Sequence, residues 1–277
     1  MFAINPVDLF LWTFRRNEKD VVNLYTSLSP VMQLATGGTM LNFGLWSREH
    51  LEPVSAQKNL CSVFADMAEM SSGVTAVDVG SGLSAPSEFW RDLFPGIKLY
   101  DVNINFKQLV FSGPQDGIEF VNSTSTKLPF DNNSVDRVLA LESAQHFKPL
   151  CDFISESKRI LKPGGLLVMA VPITIGNPSF KKLGLLKFTW SSEHYSLDFL
   201  KNSILSCGFT ISEEKLIGSN VYEPLANYYL KNRADLRKSI LKNYPSYVEF
   251  LLFNSIQKMK KASESKVIDY VLLKCHL

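Results

Sequence analysis

The chain has 277 residues, 45% hydrophobic, 12% aromatic and 20% charged, with a formal net charge of +2; this is an ordinary globular composition with enough length for a full core. No apolar run approaches the ~20 residues of a membrane-spanning helix, and Cys61, Cys151, Cys207 and Cys275 are scattered without a CxxC pair. Neither a metal site nor a disulfide framework is therefore expected. The first residues are apolar but lack a basic leader and are interrupted by Asn5, Pro6 and Asp8, so no signal peptide is read and the cytoplasm is the default location.

In chain order, residues 7–28 carry apolar positions at helical spacing and read as one or two amphipathic helices. That helical span ends at Leu28, ahead of Ser29-Pro30, and a break is expected at Gly37-Gly38. Residues 55–70 form a helix with Leu60, Val63, Phe64 and Met67 on one face. Val74 to Val79 is a short β-branched run, read as a buried parallel strand. It ends at Gly80-Ser81-Gly82, and a helical pattern starts at Ser87. Strands follow at 97–102, 118–122, 135–141 and 166–171, with a helix at 153–161 closed by Lys162-Pro163-Gly164-Gly165. Asn105 is read as the N-cap of the helix after the second strand. Residues 176–195 look irregular and aromatic; a helix at 196–207, a strand at 209–217, a helical insertion at 222–261 and a closing strand at 267–274 complete the chain. This alternation predicts an α/β fold, a doubly wound, mostly parallel sheet of seven strands flanked by helices.

The strand, glycine turn and helix start at 74–93 form the pattern of a nucleotide site at the carboxyl end of a parallel sheet. Two chemistries fit it. Gly80-x-Gly82-x-x-Ala85 formally matches a dinucleotide fingerprint, which alone is a weak signal. Asp78, inside the strand, favours instead a ligand with cationic groups. Polar residues where the second strand ends, at 103–108, are placed to meet a ribose. Residues 231–266 hold nine Lys and Arg against three acids, a surplus of six positive charges. That surplus reads either as a solvated helical face or as a surface for an anionic partner.

Val77-Asp78-Val79-Gly80-Ser81-Gly82, Leu128-Pro129-Phe130 with Asp136, Leu141-Glu142-Ser143-Ala144-Gln145-His146-Phe147 and Leu161-Lys162-Pro163-Gly164-Gly165 occur together in an order and spacing that resembles class I S-adenosylmethionine-dependent methyltransferases. Within that class the chain looks like small-molecule enzymes, sugar O-methyltransferases and tocopherol-type C-methyltransferases. The resemblance implies a Rossmann-like single domain over 1–277: a helical N-terminal lid at 1–70, a cofactor-binding core at 71–218, a helical substrate cap at 219–265 and a final strand at 266–277. It implies S-adenosyl-L-methionine as cofactor and a small-molecule acceptor, with no nucleic acid and no membrane contact expected.

Carried over by position, Gly80, Ser81 and Gly82, with Asp78 behind them, would face the methionine part. Asn103 would contact the ribose, supported by Gln108, and Asp101 would share or displace that role because it stands where the family has Gly. Thr124 and Ser125 would flank the adenine, with Thr124 replacing the usual Asp. Leu141 would offer backbone to the methionine amine, and Tyr25 would cover the cofactor from the lid.

Methyl transfer from a sulfonium needs mainly a held geometry. An oxygen nucleophile also benefits from a base, and histidine's ordinary pKa of ~6.5 suits that work near neutrality. His146, just past the fourth strand, is the candidate base; the alternative reading is a helix-start side chain bonded to Glu142 or backbone. His194 is a weaker candidate. Phe180, Phe188, Trp190, Tyr222, Tyr228, Tyr229, Phe250 and Phe253 read either as a lidded apolar pocket or as the core of the helical insertion. Competing functions are a nicotinamide oxidoreductase, an RNA methyltransferase, a C-methyltransferase or cyclase on a terpenoid or polyketide, and a non-transferring binding protein that keeps the fold.

Overall fold

The computed structural model describes residues 17–176, 183, 186 and 193–277; the expectations for 1–16, Phe180, Phe188 and Trp190 lie outside them. The elements in order are α1 (Glu18–Thr36), α2 (Pro53–Met67), β1 (Thr75–Val79), α3 (Ala85–Leu93), β2 (Lys98–Val102), α4 (Phe106–Ser112), β3 (Ile118–Val121), β4 (Val135–Leu141), α5 (Leu150–Ile160), β5 (Leu161–Thr174), α6 (Leu197–Ser206), β6 (Thr210–Leu216), α7 (Gly218–Lys231), α8 (Arg233–Asn243), α9 (Ser246–Glu264) and β7 (Ile268–His276).

One seven-stranded sheet runs in the order β3-β2-β1-β4-β5-β7-β6. Strands β1 to β5 are parallel, while β7 pairs antiparallel with both β5 and β6. The strand order reverses between β1 and β4, which opens a crevice at their carboxyl ends. Alternation along β1 sends Val77 and Val79 to the core under α5 and α6, and Ala76 to the core under α2 and α3. On that second face Trp90 stacks on Phe64 at 5.9 Å and donates from Nε1 to Cys61 O at 2.9 Å.

Several boundaries shift for physical reasons. Pro30 does not break the first helix; α1 runs through it to Gly37, a left-handed C-cap. Loss of one backbone donor is tolerated there because α1 is held from both sides. Leu24 and Val31 pack against Ile240 of α8 and Tyr244 and Val248 beyond it. Strand β5 is longer than its apolar run, since Leu161 already pairs with Val135 and the far end pairs with β7 as far as Thr174↔Ile268. The Lys162–Gly165 stretch is a bulge inside that strand, not the turn after a helix. Asn105 stands at the N-cap of α4 as expected but makes no side-chain cap bond; its amide reaches Thr26 Oγ1 at 3.2 Å on α1.

The N-terminal helix and the late helical insertion thus close on each other over the carboxyl end of the sheet. Ile240 is the fully buried contact at that seam. Replacing it with Ala is expected to cost about 2–5 kcal/mol locally. Hydrogen exchange should accelerate in α1 and α8 while the amides of β1, β4 and β5 keep their protection.

Candidate active site

The carboxyl ends of β1, β2 and β4 open into a cavity of about 1010 Å³, enclosed by α1, residues 39–43, α7 and α9. Gly80, Ser81 and Gly82 line it. Gly80 has φ +82°, and a Cβ there would lie 2.5 Å from the Cβ of Ser143. The turn at this point accepts only glycine. Ser143 secures the same place by donating from Oγ to Val79 O at 2.6 Å. Ser81 Oγ is buried and finds no hydrogen-bond partner among the described residues; buried polar atoms seldom stay so without a role.

Asn103 joins this turn to the lid. Its Nδ2 donates to Gly82 O at 3.0 Å and to Gln108 Oε1 at 3.1 Å, while its Oδ1 accepts from Asn105 N–H at 3.0 Å. Gln108 Nε2 then donates to Ser29 Oγ at 3.1 Å, on α1. Gln108, Asn103, Ser125 and Leu141 all line the cavity.

Asp78, Asp101 and Thr124 do not. Asp78 and Asp101 are register partners on β1 and β2, both buried. Asp101 Oδ1 accepts from Ser87 Oγ at 2.5 Å, which directs its carboxyl beneath the start of α3 and away from the place expected to share the role of Asn103. Burial pushes both carboxyls upward, Asp78 further through the charge of Asp101. Thr124 gives its hydroxyl to the Glu18 carboxylate in the first turn of α1, so it ties the lid down and does not face the cavity.

Tyr25 and His146, 121 residues apart in sequence, meet on the cavity wall: Tyr25 Oη and His146 Nε2 are 2.8 Å apart. The rings meet edge to face at 5.3 Å. Burial raises the Tyr25 phenol, and the Glu142 carboxyl adds to that, so the hydroxyl keeps its proton. His194 is not among the lining residues.

Glu142 is the residue that sequence reasoning left out of the site. It lines the cavity at the end of β4 with φ +53°, a left-handed conformation unusual for a side chain of this size. Its Oε1 accepts from Phe43 N–H at 2.8 Å and from Tyr270 Oη at 2.9 Å. Burial pushes its carboxyl up to about 8, against the lowering effect of those two hydrogen bonds. The residue sits inside the motif 141–147, but its partners come from residues 43 and 270. Nothing local announced them.

Residues 77–169 match the family model of a methyltransferase domain. The chain is 27% identical to the erythromycin 3''-O-methyltransferase of Saccharopolyspora erythraea, over 95% of this chain and 91% of that protein. The chain carries a methyltransferase domain and is similar to class I S-adenosylmethionine-dependent methyltransferases. It is also 35% identical to a sterol 24-C-methyltransferase of Gibberella zeae, across 34% of this chain and 26% of that one. The fold of this methyltransferase is shared with the [4+2]-cyclase SpnF, at a TM-score of 0.78 with 17% identity over 94% of this chain and 96% of that one. A geranyl diphosphate C-methyltransferase from Streptomyces coelicolor A3(2) shares it too, at 0.74 with 16% identity over 94% and 97%. That Streptomyces coelicolor enzyme was crystallised with S-adenosyl-L-homocysteine. Among the described residues no helix is long and apolar enough to cross a membrane.

The raised carboxyl of Glu142 has a consequence for stability. The folded chain holds that proton up to about pH 8, whereas the unfolded chain releases it near the ordinary glutamate pKa of ~4.3. The unfolded state binds fewer protons over that interval, so this group's contribution falls as pH rises from about 4.3 to 8. Glu142→Gln keeps an acceptor for Phe43 and Tyr270 and carries no titrating proton. Urea unfolding at pH 5.5 and pH 8 should show the wild type losing more stability than the variant on going to the higher pH.

Proposed function

We propose that the methyltransferase acts on an oxygen of a small, largely apolar acceptor, with His146 taking the acceptor's proton. The site suits the cofactor on its own geometry: a glycine turn no side chain can enter, the orphaned Ser81 hydroxyl beside it, and an asparagine fixed through both ends of its amide. In this reading Gly80, Ser81 and Gly82 hold the methionine part, with backbone from Leu141. Asn103, kept in place by Gln108, meets the ribose, and Ser125 lies along the adenine. Asp78 and Asp101 act from behind the turn, and Thr124 acts by fixing α1. When bound, S-adenosylmethionine supplies an electrophilic methyl group on a sulfonium.

The observation that carries the oxygen reading is the Tyr25–His146 contact. A neutral O–H already sits 2.8 Å from His146 Nε2 on the cavity wall, which is the geometry a general base needs toward an acceptor hydroxyl. In this reading the acceptor hydroxyl takes the position that Tyr25 Oη holds. The relationship to the erythromycin 3''-O-methyltransferase over nearly the whole chain supports the same atom.

Glu142 favours a second reading, methylation or cyclisation at carbon, in which a carboxyl on the same wall would remove the proton. The relationship to sterol 24-C-methyltransferases supports it. A group held protonated to about pH 8 is better placed to donate a hydrogen bond than to accept a proton at neutrality, and this ranks the oxygen reading first.

The two separate cleanly once an acceptor is found by screening hydroxylated macrolides, sterols and terpenoids with methyl-labelled cofactor. His146→Ala should then lower turnover at least ~100-fold with S-adenosylhomocysteine affinity unchanged. Near-normal turnover of His146→Ala together with an inactive Glu142→Gln would install the carbon reading instead.

A further inference from the structure

The strongly basic segment of the sequence keeps its charges off the cavity wall. None of its nine Lys and Arg, from Lys231 to Lys266, lines the wall. Arg233 shows where such charge goes. Its Nε donates to Glu249 Oε1 at 2.9 Å, and its guanidinium lies 3.3 Å from the centre of the Phe253 ring. Arg237 adds a second ion pair to Glu249 at 3.5 Å. The cap spends its cations on its own carboxylate and on solvent, while the same helices present Leu225, Val248, Leu252, Ile256 and Met259 inward.

Among the described residues the charged side chains on the wall are Glu18, Lys19, Glu142 and Lys148, none of them on α7 or α9. Both lysines are exposed, and Lys148 is paired with Glu193 at 3.4 Å. The polar groups of the cap half are also committed. Ser255 Oγ donates to Leu251 O at 2.7 Å, within its own helix, and Tyr229 Oη donates to Glu249 Oε1 at 3.4 Å. An ionised group carried into that half would lose its water and meet no counter-charge among the described residues, a costly burial.

We infer that the acceptor is an uncharged molecule whose apolar body lies against α7 and α9, with its one reactive polar group at the Glu142–His146 end. Val248, Leu252 and Ile256 are then specificity-determining: they select a neutral body and reject a diphosphate or an ammonium. The inference rests on the proposed division of the cavity between cofactor and acceptor. A volume of about 1010 Å³ stands at the upper end of the ~300–1,000 Å³ of small-molecule sites, which leaves room for both.

Three probes with one hydrocarbon body and different charge test this: farnesol, farnesyl diphosphate and farnesylamine. Each is titrated by calorimetry into the full chain saturated with S-adenosylhomocysteine. Farnesol should bind at least ~10-fold more tightly than either charged probe. The half-buried Leu252→Lys should reverse the order, favouring the diphosphate, with S-adenosylhomocysteine affinity unchanged. Diphosphate or amine binding equal to or tighter than farnesol in the wild type overturns the inference. So does a saturated protein that takes none of the three. A chain that never binds S-adenosylhomocysteine overturns the proposed cofactor site instead, and the two failures stay distinct.

Discussion

The amide of Asn103 is the interaction on which the rest of the site depends. A single side chain at the end of β2 holds the carbonyl of Gly82 on one side and the backbone N–H of Asn105 on the other. Through Gln108 and Ser29 it also reaches α1. The glycine turn, the start of α4 and the lid are thereby fixed to one another by hydrogen bonds that are buried or, at Gly82, partly buried. In a low-dielectric surround such a network is stiff when every member is satisfied and expensive when one is lost. The seven-stranded sheet supplies the platform, and this amide sets the relative position of the parts that meet a ligand.

Around that hub the cavity divides by chemistry. Near the strand ends it is polar and titratable, with Ser81, Glu142, His146 and Tyr25 close to the switch between β1 and β4. Toward α7 and α9 it is apolar. The boundary follows the origin of the residues: Ser81, Glu142 and His146 come from the loops at the strand ends, Tyr25 from α1, and the apolar wall from α1 and the helices inserted between β6 and β7. Chemistry is thus anchored on the rigid element, and the body of the acceptor is read by helices that pack on one another and on α1 through Leu24, Val31, Ile240 and Val248. The seam between lid and cap is the natural place for the opening that admits a ligand.

How much of this was legible in the sequence follows from the range of the interactions. The β-branched run at 74–79 and the glycine turn after it are local, and they announced both the sheet and the place of the site. The pairing of Asn103 with Gln108 spans five residues, and it was the family resemblance that implied it. Asp101 was misplaced because a position in a strand fixes a face, while the hydroxyl of Ser87, fourteen residues earlier, decides where the carboxyl ends. Thr124 was expected against adenine, and its hydroxyl was taken by Glu18 from the other end of the chain. Glu142 and the Tyr25–His146 pair depend on contacts across a hundred residues or more, which no periodicity carries. The basic segment was ambiguous because α8 has little amphipathic pattern to say which way its lysines point. Only packing settled it.

The central claim, that the Asn103 amide organises the cofactor site, is tested most directly by calorimetric titration of S-adenosylhomocysteine into the wild type and into Asn103→Ala. Loss of one ligand contact together with the hydrogen bonds that hold Gly82 and Gln108 should weaken binding by at least ~10-fold, with the sheet still folded by circular dichroism. An affinity unchanged in Asn103→Ala would contradict the account, because the turn and the lid would then be held by something other than that side chain.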